Sequence, residues 1–269
     1  MNQLQFGFLG GGQMATAIAR GAILSGIAKD ADIAFCDTNV EQIEVLKQKF
    51  PKCHLTSAPD ELFEKCTRIV LAVKPQILLD ISSSLEDKVT SEHLLISIAA
   101  GISLGKLASC FGTERIIRVM PNTPCQSLEG ASGIAIANSV TPEDFEWCKS
   151  LFCAVGKVVC VTDDQLHGVT GVSGSGPAYV LMMIEALSDG GVMAGLSRQA
   201  ALELATQTVL GTAKMVQETG THPAILREQV TSPGGTTIAA LSSMERAGFR
   251  SAVIDGVMAA VKRSRELAG

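Results

Sequence analysis

The chain has 269 residues and a formal net charge of −5, and its 46% hydrophobic content includes only 4% aromatic residues. This length provides for one large domain or two ordinary ones with separate cores, and we expect two. Because the charge is negative and no basic run is present, nucleic-acid binding is not expected. The scarcity of aromatic residues predicts a core of Ala, Val, Ile, Leu and Met.

A strand, a glycine turn and a helix open the chain. Residues 5–9 are apolar, and helical periodicity begins at Met14. Between them, Gly10, Gly12 and Ala15 match the dinucleotide-binding fingerprint, which needs a tight turn, close approach of the backbone to pyrophosphate and close helix packing. The candidate cofactor-binding residues in this segment are Gly10, Gly12, Gln13 and Met14.

A second strand, residues 33–36, ends at Asp37. An acidic residue at this point of a dinucleotide fold binds the ribose hydroxyls, roughly 20 residues after the glycines. The alternative is that Asp37 caps the helix predicted over residues 40–50, and one side chain can serve both purposes.

Strands and helices then alternate, with later strands predicted at residues 68–73, 94–99, 115–120, 131–137 and 157–161. This alternation predicts a doubly wound parallel sheet of the Rossmann kind, with ligands beyond the carboxyl ends of its strands. At those ends, Lys74 either answers a charge on a ligand or is a solvated surface lysine. Asn122, between two prolines, either orients a nicotinamide ring or holds two loops together.

No strand pattern follows residue 162. We therefore divide the chain into a dinucleotide-binding domain, residues 1–162, and an all-helical domain, residues 163–269. The predicted helices run from residue 165 through Leu187 and over residues 198–216, 223–230, 237–244 and 249–267.

A glycine-rich run, residues 171–179, lies in the first of these helices, where each glycine costs about 1 kcal/mol relative to alanine. Another backbone, such as one from a second subunit, or the nicotinamide end of a cofactor can use the space that the glycines leave, and we expect both. Wide apolar faces at residues 180–184 and 253–261 predict burial against a partner chain. A homodimer formed through this domain is therefore expected.

Residues 231–237 read Thr-Ser-Pro-Gly-Gly-Thr-Thr and precede a helical apolar stripe. The proline and glycines shape a turn, and Thr236 or Thr237 can cap the helix. Because free backbone N–H groups and the positive end of the helix dipole converge there, the segment predicts an anion site. The alternative is a capped turn without a ligand.

Cysteine and histidine usage favours a reducing compartment without a metal centre. The eight cysteines, for example Cys36 and Cys160, stand in apolar contexts without close pairing, and the four histidines are scattered. We expect reduced core thiols and no metal. With neither a signal-peptide pattern nor about 18 consecutive apolar residues, the sequence predicts a cytoplasmic protein with no membrane attachment.

These motifs together resemble the pyrroline-5-carboxylate reductase family along essentially the whole chain. The matching segments occur in the family's order and are residues 10–15, 70–76, 99–102, 119–124, 174–178 and 231–237, with the region 226–245 the most diagnostic. The resemblance implies a Rossmann domain followed by a helical dimerisation domain. It also implies hydride transfer from NADPH or NADH to the small molecule pyrroline-5-carboxylate, giving L-proline, and dimers that form decamers of five dimers in many members.

The resemblance further implies roles for individual residues. Thr237 is the candidate catalytic residue, because its hydroxyl would hydrogen-bond the ring nitrogen of the imine. The residues implied around the substrate carboxylate are Ser232, Gly235, Thr236 and Thr237. Those implied beside the cofactor are Val73, Lys74, Pro75 and Ala100.

A neighbouring enzyme class fits the sequence less well. Hydroxyacid dehydrogenases of the 6-phosphogluconate and hydroxyisobutyrate type carry a lysine shortly after a Gly-x-x-Gly-x-Gly run, and here that position is Val180. A cyclic imine needs no such lysine, because its nitrogen can carry a proton before hydride arrives. A non-catalytic nucleotide-binding protein on the same fold would have no use for residues 231–237.

The choice between the two nicotinamide cofactors depends on Asp37. Relatives that use NADPH often place a hydroxyl or basic residue there and an asparagine at the position of Pro59, so both residues disfavour a 2′-phosphate. Thr38 and Asn39 retain the option of turning toward the phosphate. We expect usable activity with NADH, and a shift toward NADPH in Asp37→Ser.

Overall fold

The computed structural model describes residues 4–268. Residues 1–3 and Gly269, which the predicted domains include, lie outside this range. Within it, eight strands form one sheet in the order β3-β2-β1-β4-β5-β6-β7-β8. The strands are β1 (Phe6–Leu9), β2 (Ile33–Cys36), β3 (His54–Thr56), β4 (Arg68–Leu71), β5 (Leu94–Ser97), β6 (Ile116–Met120), β7 (Gly130–Ile136) and β8 (Gly156–Cys160).

The α-helices alternate with the strands at first and then follow one another. Those of the sheet region are α1 (Gln13–Leu24), α2 (Val40–Lys49), α3 (Pro59–Lys65), α4 (Pro75–Leu85), α5 (Leu104–Phe111) and α6 (Pro142–Cys153). The remaining ones are α7 (Leu166–Val169), α8 (Gly176–Met193), α9 (Arg198–Thr219), α10 (Pro223–Gln229), α11 (Thr236–Arg246) and α12 (Phe249–Ala268).

The predicted doubly wound sheet is confirmed, with one antiparallel pair that the sequence did not indicate. All pairings are parallel except that of β6 with β7. Residues 121–129 connect these two strands, and that connection is shorter than the dozen or more residues that a parallel crossover needs. The short strand β3 was also missed, because its three residues carry no continuous apolar run.

Alternate residues of β1, β2, β4, β5 and β6 enter two separate cores, one on each face of the sheet. One core contains Phe6, Phe8 and Phe35, and the rings of Phe8 and Phe35 stack with centroids 5.0 Å apart. The expectation of a core without aromatic residues is therefore wrong. The few phenylalanines are concentrated where β1 and β2 pair, since large rings fill the space between the sheet and the helices on that face.

All eight cysteines are free thiols. Four are buried, and burial raises the pKa of Cys66 to about 12, so this thiol stays protonated near neutral pH. Cys153 and Cys160 are exposed, so the expectation of core residues is wrong for these two. Cys160 lies on β8, which is one of the two edge strands of the sheet that residues 4–268 form.

The helix predicted from residue 165 is interrupted at its glycines. The α7 turn is followed by a π-helix, Thr170–Gly174, and α8 begins only at Gly176. A methyl group at Gly174 would come within 2.8 Å of Met120 Cε. The side chain of Met120, at the end of β6, therefore uses space that this glycine leaves.

The chain forms two compact units. One comprises residues 4–175 and 259–268, and the other is Gly176–Met258. The division at residues 162 and 163 stays a prediction. Within residues 4–268, none of the helices combines the length and apolar character needed to span a membrane.

The second unit buries few of its own residues. Within Gly176–Met258, the buried positions are Gly176, Ser188, Ala201, Ala205 and Leu226. Large apolar side chains are exposed instead: Met193 is 90% exposed, Met182 73% and Ile254 59%. Soluble monomers rarely expose apolar side chains at this density, so these helices carry a surface suited to a partner chain.

Candidate active site

The glycine turn after β1 is shaped by close backbone packing. Gly10 has φ +99°, and a Cβ there would lie 2.9 Å from the carbonyl carbon of Ala72. Only glycine fits this position. Ala15 is buried, which lets α1 pack closely against the sheet. Two of the three small residues of the fingerprint thus serve the packing that the sequence predicted for them.

The second glycine of the fingerprint, Gly12, lies in open space. Gly12 is the N-cap of α1, and a Cβ there would meet no atom within 4 Å. Gly12 and Gln13 are exposed, and Met14 is half-buried. The first backbone N–H groups of a helix have no partner within it, so the start of α1 has N–H donors in open space. Their contact with a pyrophosphate stays a prediction. The Gln13 side chain accepts a hydrogen bond from Gln126 Nε2 at 3.0 Å.

Asp37 faces this turn from the end of β2. Its Oδ2 accepts a hydrogen bond from the Gly11 N–H at 2.8 Å, and its Oδ1 accepts one from the Asn39 N–H at 2.9 Å. The helix cap of α2 is Asn39, whose side chain accepts from the N–H groups of Glu41 and Gln42. The capping alternative for Asp37 is wrong, because Asn39 is the residue directly before the helix.

The rim of the sheet brings the remaining cofactor candidates toward the glycine turn. Strands β1, β4 and β5 are parallel neighbours, so their carboxyl ends share one edge. A Cβ at Gly10 would lie 2.9 Å from Val73 Cγ1. Lys74 is the exposed N-cap of α4, Pro75 is its first residue, and Ala100 is exposed after β5. The structure records no ion pair for Lys74 among residues 4–268, and its ligand contacts stay a prediction.

Asn122 joins two segments of the first unit. Its Nδ2 donates to the Ser173 carbonyl at 3.0 Å, and its Oδ1 accepts from the Ala131 N–H at 2.8 Å. The side chain is 8% exposed. The structural role that we considered is therefore present, since Asn122 holds the π-helix and the start of β7. Contact with a nicotinamide ring stays a prediction.

Residues 231–237 form a turn followed by the start of α11. Gly234 has φ +67°, and the Gly235 N–H donates to the Ser232 carbonyl at 3.1 Å. Proline followed by a glycine with positive φ, closed by this bond, is a type II turn. The turn delivers the chain to α11 with the backbone N–H groups of Thr236 and Thr237 at the helix start, where they have no intrahelical partner.

Neither threonine caps α11. Its N-cap is Gly235, in extended conformation, and there is no side-chain capping bond. The capping role expected for Thr236 or Thr237 is wrong, because both lie inside the first helical turn instead of before it. Thr237 is half-buried, and among residues 4–268 its hydroxyl has no hydrogen-bond partner.

Two glutamines near the glycine turn were missed. Gln42 Nε2 donates to the Gly11 carbonyl at 2.6 Å, and Gln126 reaches Gln13 as described. Both bonds join residues far apart in the sequence. Only the predicted position of α2, directly after Asp37, could have indicated that a polar side chain in its first turn would face the glycines.

Comparison with known proteins identifies the lineage of this arrangement. Residues 163–267 match a family model described as pyrroline-5-carboxylate reductase dimerisation, and residues 5–101 match one described as NADP oxidoreductase coenzyme F420-dependent. A pyrroline-5-carboxylate reductase of Arabidopsis thaliana is 44% identical over 97% of this chain and 94% of its own length. The chain belongs to the pyrroline-5-carboxylate reductase family.

Two solved structures of this family match the fold of this chain along its whole length. The pyrroline-5-carboxylate reductase of Coxiella burnetii is 34% identical, with a TM-score of 0.93 and 100% of both chains covered. The pyrroline carboxylate reductase of Plasmodium falciparum, solved with NADP bound, is 32% identical with a TM-score of 0.88, again over 100% of both chains. The predicted family and the order of a Rossmann domain followed by a helical dimerisation domain are confirmed.

Proposed function

We propose that this chain reduces pyrroline-5-carboxylate to L-proline with hydride from NAD(P)H, the last step of proline biosynthesis. The observation that carries this proposal is the start of α11. A type II turn precedes the helix, and the hydroxyl of Thr237 has no hydrogen-bond partner among residues 4–268, in a chain related over nearly its full length to pyrroline-5-carboxylate reductases.

The glycine turn fits a dinucleotide. Open space at Gly12 and the free N–H groups at the start of α1 suit the pyrophosphate, and Asp37 suits the ribose hydroxyls. When bound, the reduced nicotinamide supplies the hydride. Toward that end of the cofactor we assign Val73, Lys74, Pro75 and Ala100, which lie at the carboxyl ends of β4 and β5.

The start of α11 fits the substrate carboxylate. Backbone N–H groups at Thr236 and Thr237, together with the Ser232 hydroxyl, donate to an anion, and charge-assisted bonds of this kind contribute about 1.5–3 kcal/mol each. Gly235 lies between these donors and closes the turn, with its own N–H bound to the Ser232 carbonyl. The Thr237 hydroxyl holds the ring nitrogen of the imine. This contact orients the adjacent carbon for hydride transfer.

The reaction needs no side chain that delivers a proton to the nitrogen at the moment of transfer. The imine nitrogen carries a proton when it binds, hydride adds to the neighbouring ring carbon, and the amine of the product keeps that proton. Val180 stands where hydroxyacid dehydrogenases carry their lysine. The imine reaction is therefore favoured over oxidation of a hydroxyl group, and a purely nucleotide-binding role leaves the start of α11 unexplained.

The protein acts as a homo-oligomer. Exposed apolar side chains on α8, α9 and α12 support a dimer formed through the helical domain, and the family resemblance favours decamers of five dimers. We place the reaction in the cytoplasm, where the reduced thiols expected from the sequence are stable.

A substrate comparison tests the proposal. The purified protein is given NADH or NADPH with pyrroline-5-carboxylate, and in separate reactions NAD⁺ or NADP⁺ with 6-phosphogluconate or hydroxyisobutyrate. We expect cofactor oxidation with the imine alone. Turnover of a hydroxyacid, or no turnover with the imine, would contradict the proposal.

A further inference from the structure

A closed set of hydrogen bonds joins the glycine turn to the start of α2. The Gly11 N–H donates to Asp37 Oδ2 at 2.8 Å, and Gln42 Nε2 donates to the Gly11 carbonyl at 2.6 Å. The Asn39 N–H donates to Asp37 Oδ1 at 2.9 Å, and Asn39 Oδ1 in turn accepts from the Gln42 N–H at 3.4 Å. We call these four residues, Gly11, Asp37, Asn39 and Gln42, the turn network.

The turn network fixes the carboxylate of Asp37. Each of its oxygens is held by a backbone N–H, so the side chain cannot swing away without breaking two charge-assisted bonds. The Asn39 side chain is also committed, because it caps α2. Of the two residues that the sequence left free to turn toward a 2′-phosphate, only Thr38 retains that freedom.

Gln42 connects the backbone of the glycine turn to the same network. Gly11 packs against α2 so closely that a Cβ there would lie 2.4 Å from Leu46 Cδ1. Its N–H and its carbonyl are both bound, by Asp37 and Gln42 respectively. The next residue, Gly12, begins the stretch of open N–H groups at α1. Gln42 therefore holds the peptide that directly precedes the pyrophosphate donors.

We propose that Gln42 is a positioning residue of the cofactor site and that the turn network makes this chain select NADH over NADPH. The inference rests on the proposed function, since it concerns the cofactor of that reaction. A 2′-phosphate must either lie against the fixed Asp37 carboxylate, where like charges repel, or displace it and release Gly11. NADH meets neither obstacle, because ribose hydroxyls can donate to the remaining lone pairs of the carboxylate.

The two residues have separable effects. Asp37 carries the charge that distinguishes the cofactors, so its replacement changes their relative affinity. Gln42 touches neither the ribose nor the phosphate but holds the turn that both cofactors share. Its loss should therefore weaken NADH and NADPH by the same factor.

The test is the dissociation constant of each cofactor, measured by calorimetry without substrate. We compare the unaltered protein with Asp37→Ser, Gln42→Leu and Gln48→Leu. The last is a matched control, because Gln48 lies on the same helix with an exposed side chain and makes no side-chain hydrogen bond within residues 4–268.

We expect the unaltered protein to bind NADH at least about tenfold more tightly than NADPH, and Asp37→Ser to reduce that ratio by about tenfold or more. Gln42→Leu should weaken both cofactors by roughly 3- to 10-fold while leaving their ratio within about twofold. Gln48→Leu should match the unaltered protein.

Equal affinity for the two cofactors in the unaltered protein would overturn the selection. Affinities in Gln42→Leu equal to those in Gln48→Leu would overturn the positioning role, even with a lower Tm, since a merely structural bond would change stability alone. Binding requires no imine, so a protein that binds NADH as expected but does not reduce pyrroline-5-carboxylate would contradict the proposed function and leave this inference standing.

Discussion

Replacing Thr237 by alanine separates a contact made in the reaction from a contact made in the fold. The structure assigns the cap of α11 to Gly235 and records no hydrogen bond from the Thr237 hydroxyl within residues 4–268. The loss of a capping threonine costs about 1 kcal/mol, and the free energy of unfolding should therefore change by less than that. The Tm of Thr237→Ala should stay close to that of the unaltered protein.

Catalysis should respond much more strongly. A hydrogen bond to a charged group contributes about 1.5–3 kcal/mol, and about 1.4 kcal/mol corresponds to a factor of ten in rate. We expect kcat/KM for pyrroline-5-carboxylate to fall by roughly 10- to 100-fold, with the loss mainly in kcat. Cofactor affinity should be unchanged, since the donors to pyrophosphate lie at the start of α1.

The assay is single-turnover oxidation of the cofactor, with calorimetric cofactor binding and a melting curve on the same samples. Thr237→Ser is the matched control, because it keeps the hydroxyl and should retain most of the activity. If Thr237→Ala transfers hydride as fast as the unaltered protein, the hydroxyl has no part in holding the imine. A melting point lowered by several degrees would show that the threonine stabilises α11 in a way that the structure does not indicate.

Three further predictions follow from the packing. Gly10→Ala should lower the Tm by several degrees, because it forces φ +99° on a residue with a Cβ 2.9 Å from backbone atoms. Gly12→Ala should keep the Tm of the unaltered protein and lose cofactor binding. Equal Tm values for the two variants would refute this difference. Light scattering at micromolar concentration should find a dimer or a larger species, and a stable monomer would refute the role of the apolar faces. Burial lowers the pKa of His167, so the unfolded state takes up the proton first, and stability should decline as the pH falls below about 6.5. His167→Asn should lose less stability over the same pH range. Equal losses in the variant and the unaltered protein would count against this role of His167.

Most strands were predictable because local signals agree there. In β1 and β2 an apolar run ends at a glycine or an aspartate, in β4 it ends at Lys74 directly before a proline, and the observed bounds lie within two residues of those predicted. The pairing of β6 with β7 was not predictable in the same way. Its direction depends on the short connection through Asn122, and apolar periodicity is the same for parallel and antiparallel strands.

The sequence indicated the candidate site as motifs, whose ligand contacts stay predictions, and it did not indicate the hydrogen bonds within them. The sequence indicated an anion site at the start of α11 and a ribose ligand at Asp37. It could not assign the caps, since Gly235 and Asn39 each precede a helix by one residue and helix boundaries are the least certain part of any pattern. The bond from Gln42 to Gly11 joins two elements whose spacing is set only by the folded sheet.

The central claim is that hydride moves from the nicotinamide to the carbon of the imine. The measurement that tests it most directly uses NADH carrying deuterium at the transferable position, with pyrroline-5-carboxylate and the purified protein. We predict L-proline with one deuterium on the ring carbon that is bonded to nitrogen and does not carry the carboxylate, formed in equal amount to the cofactor oxidised. Oxidation of the cofactor without labelled proline, or no reaction with either nicotinamide cofactor, would contradict the account.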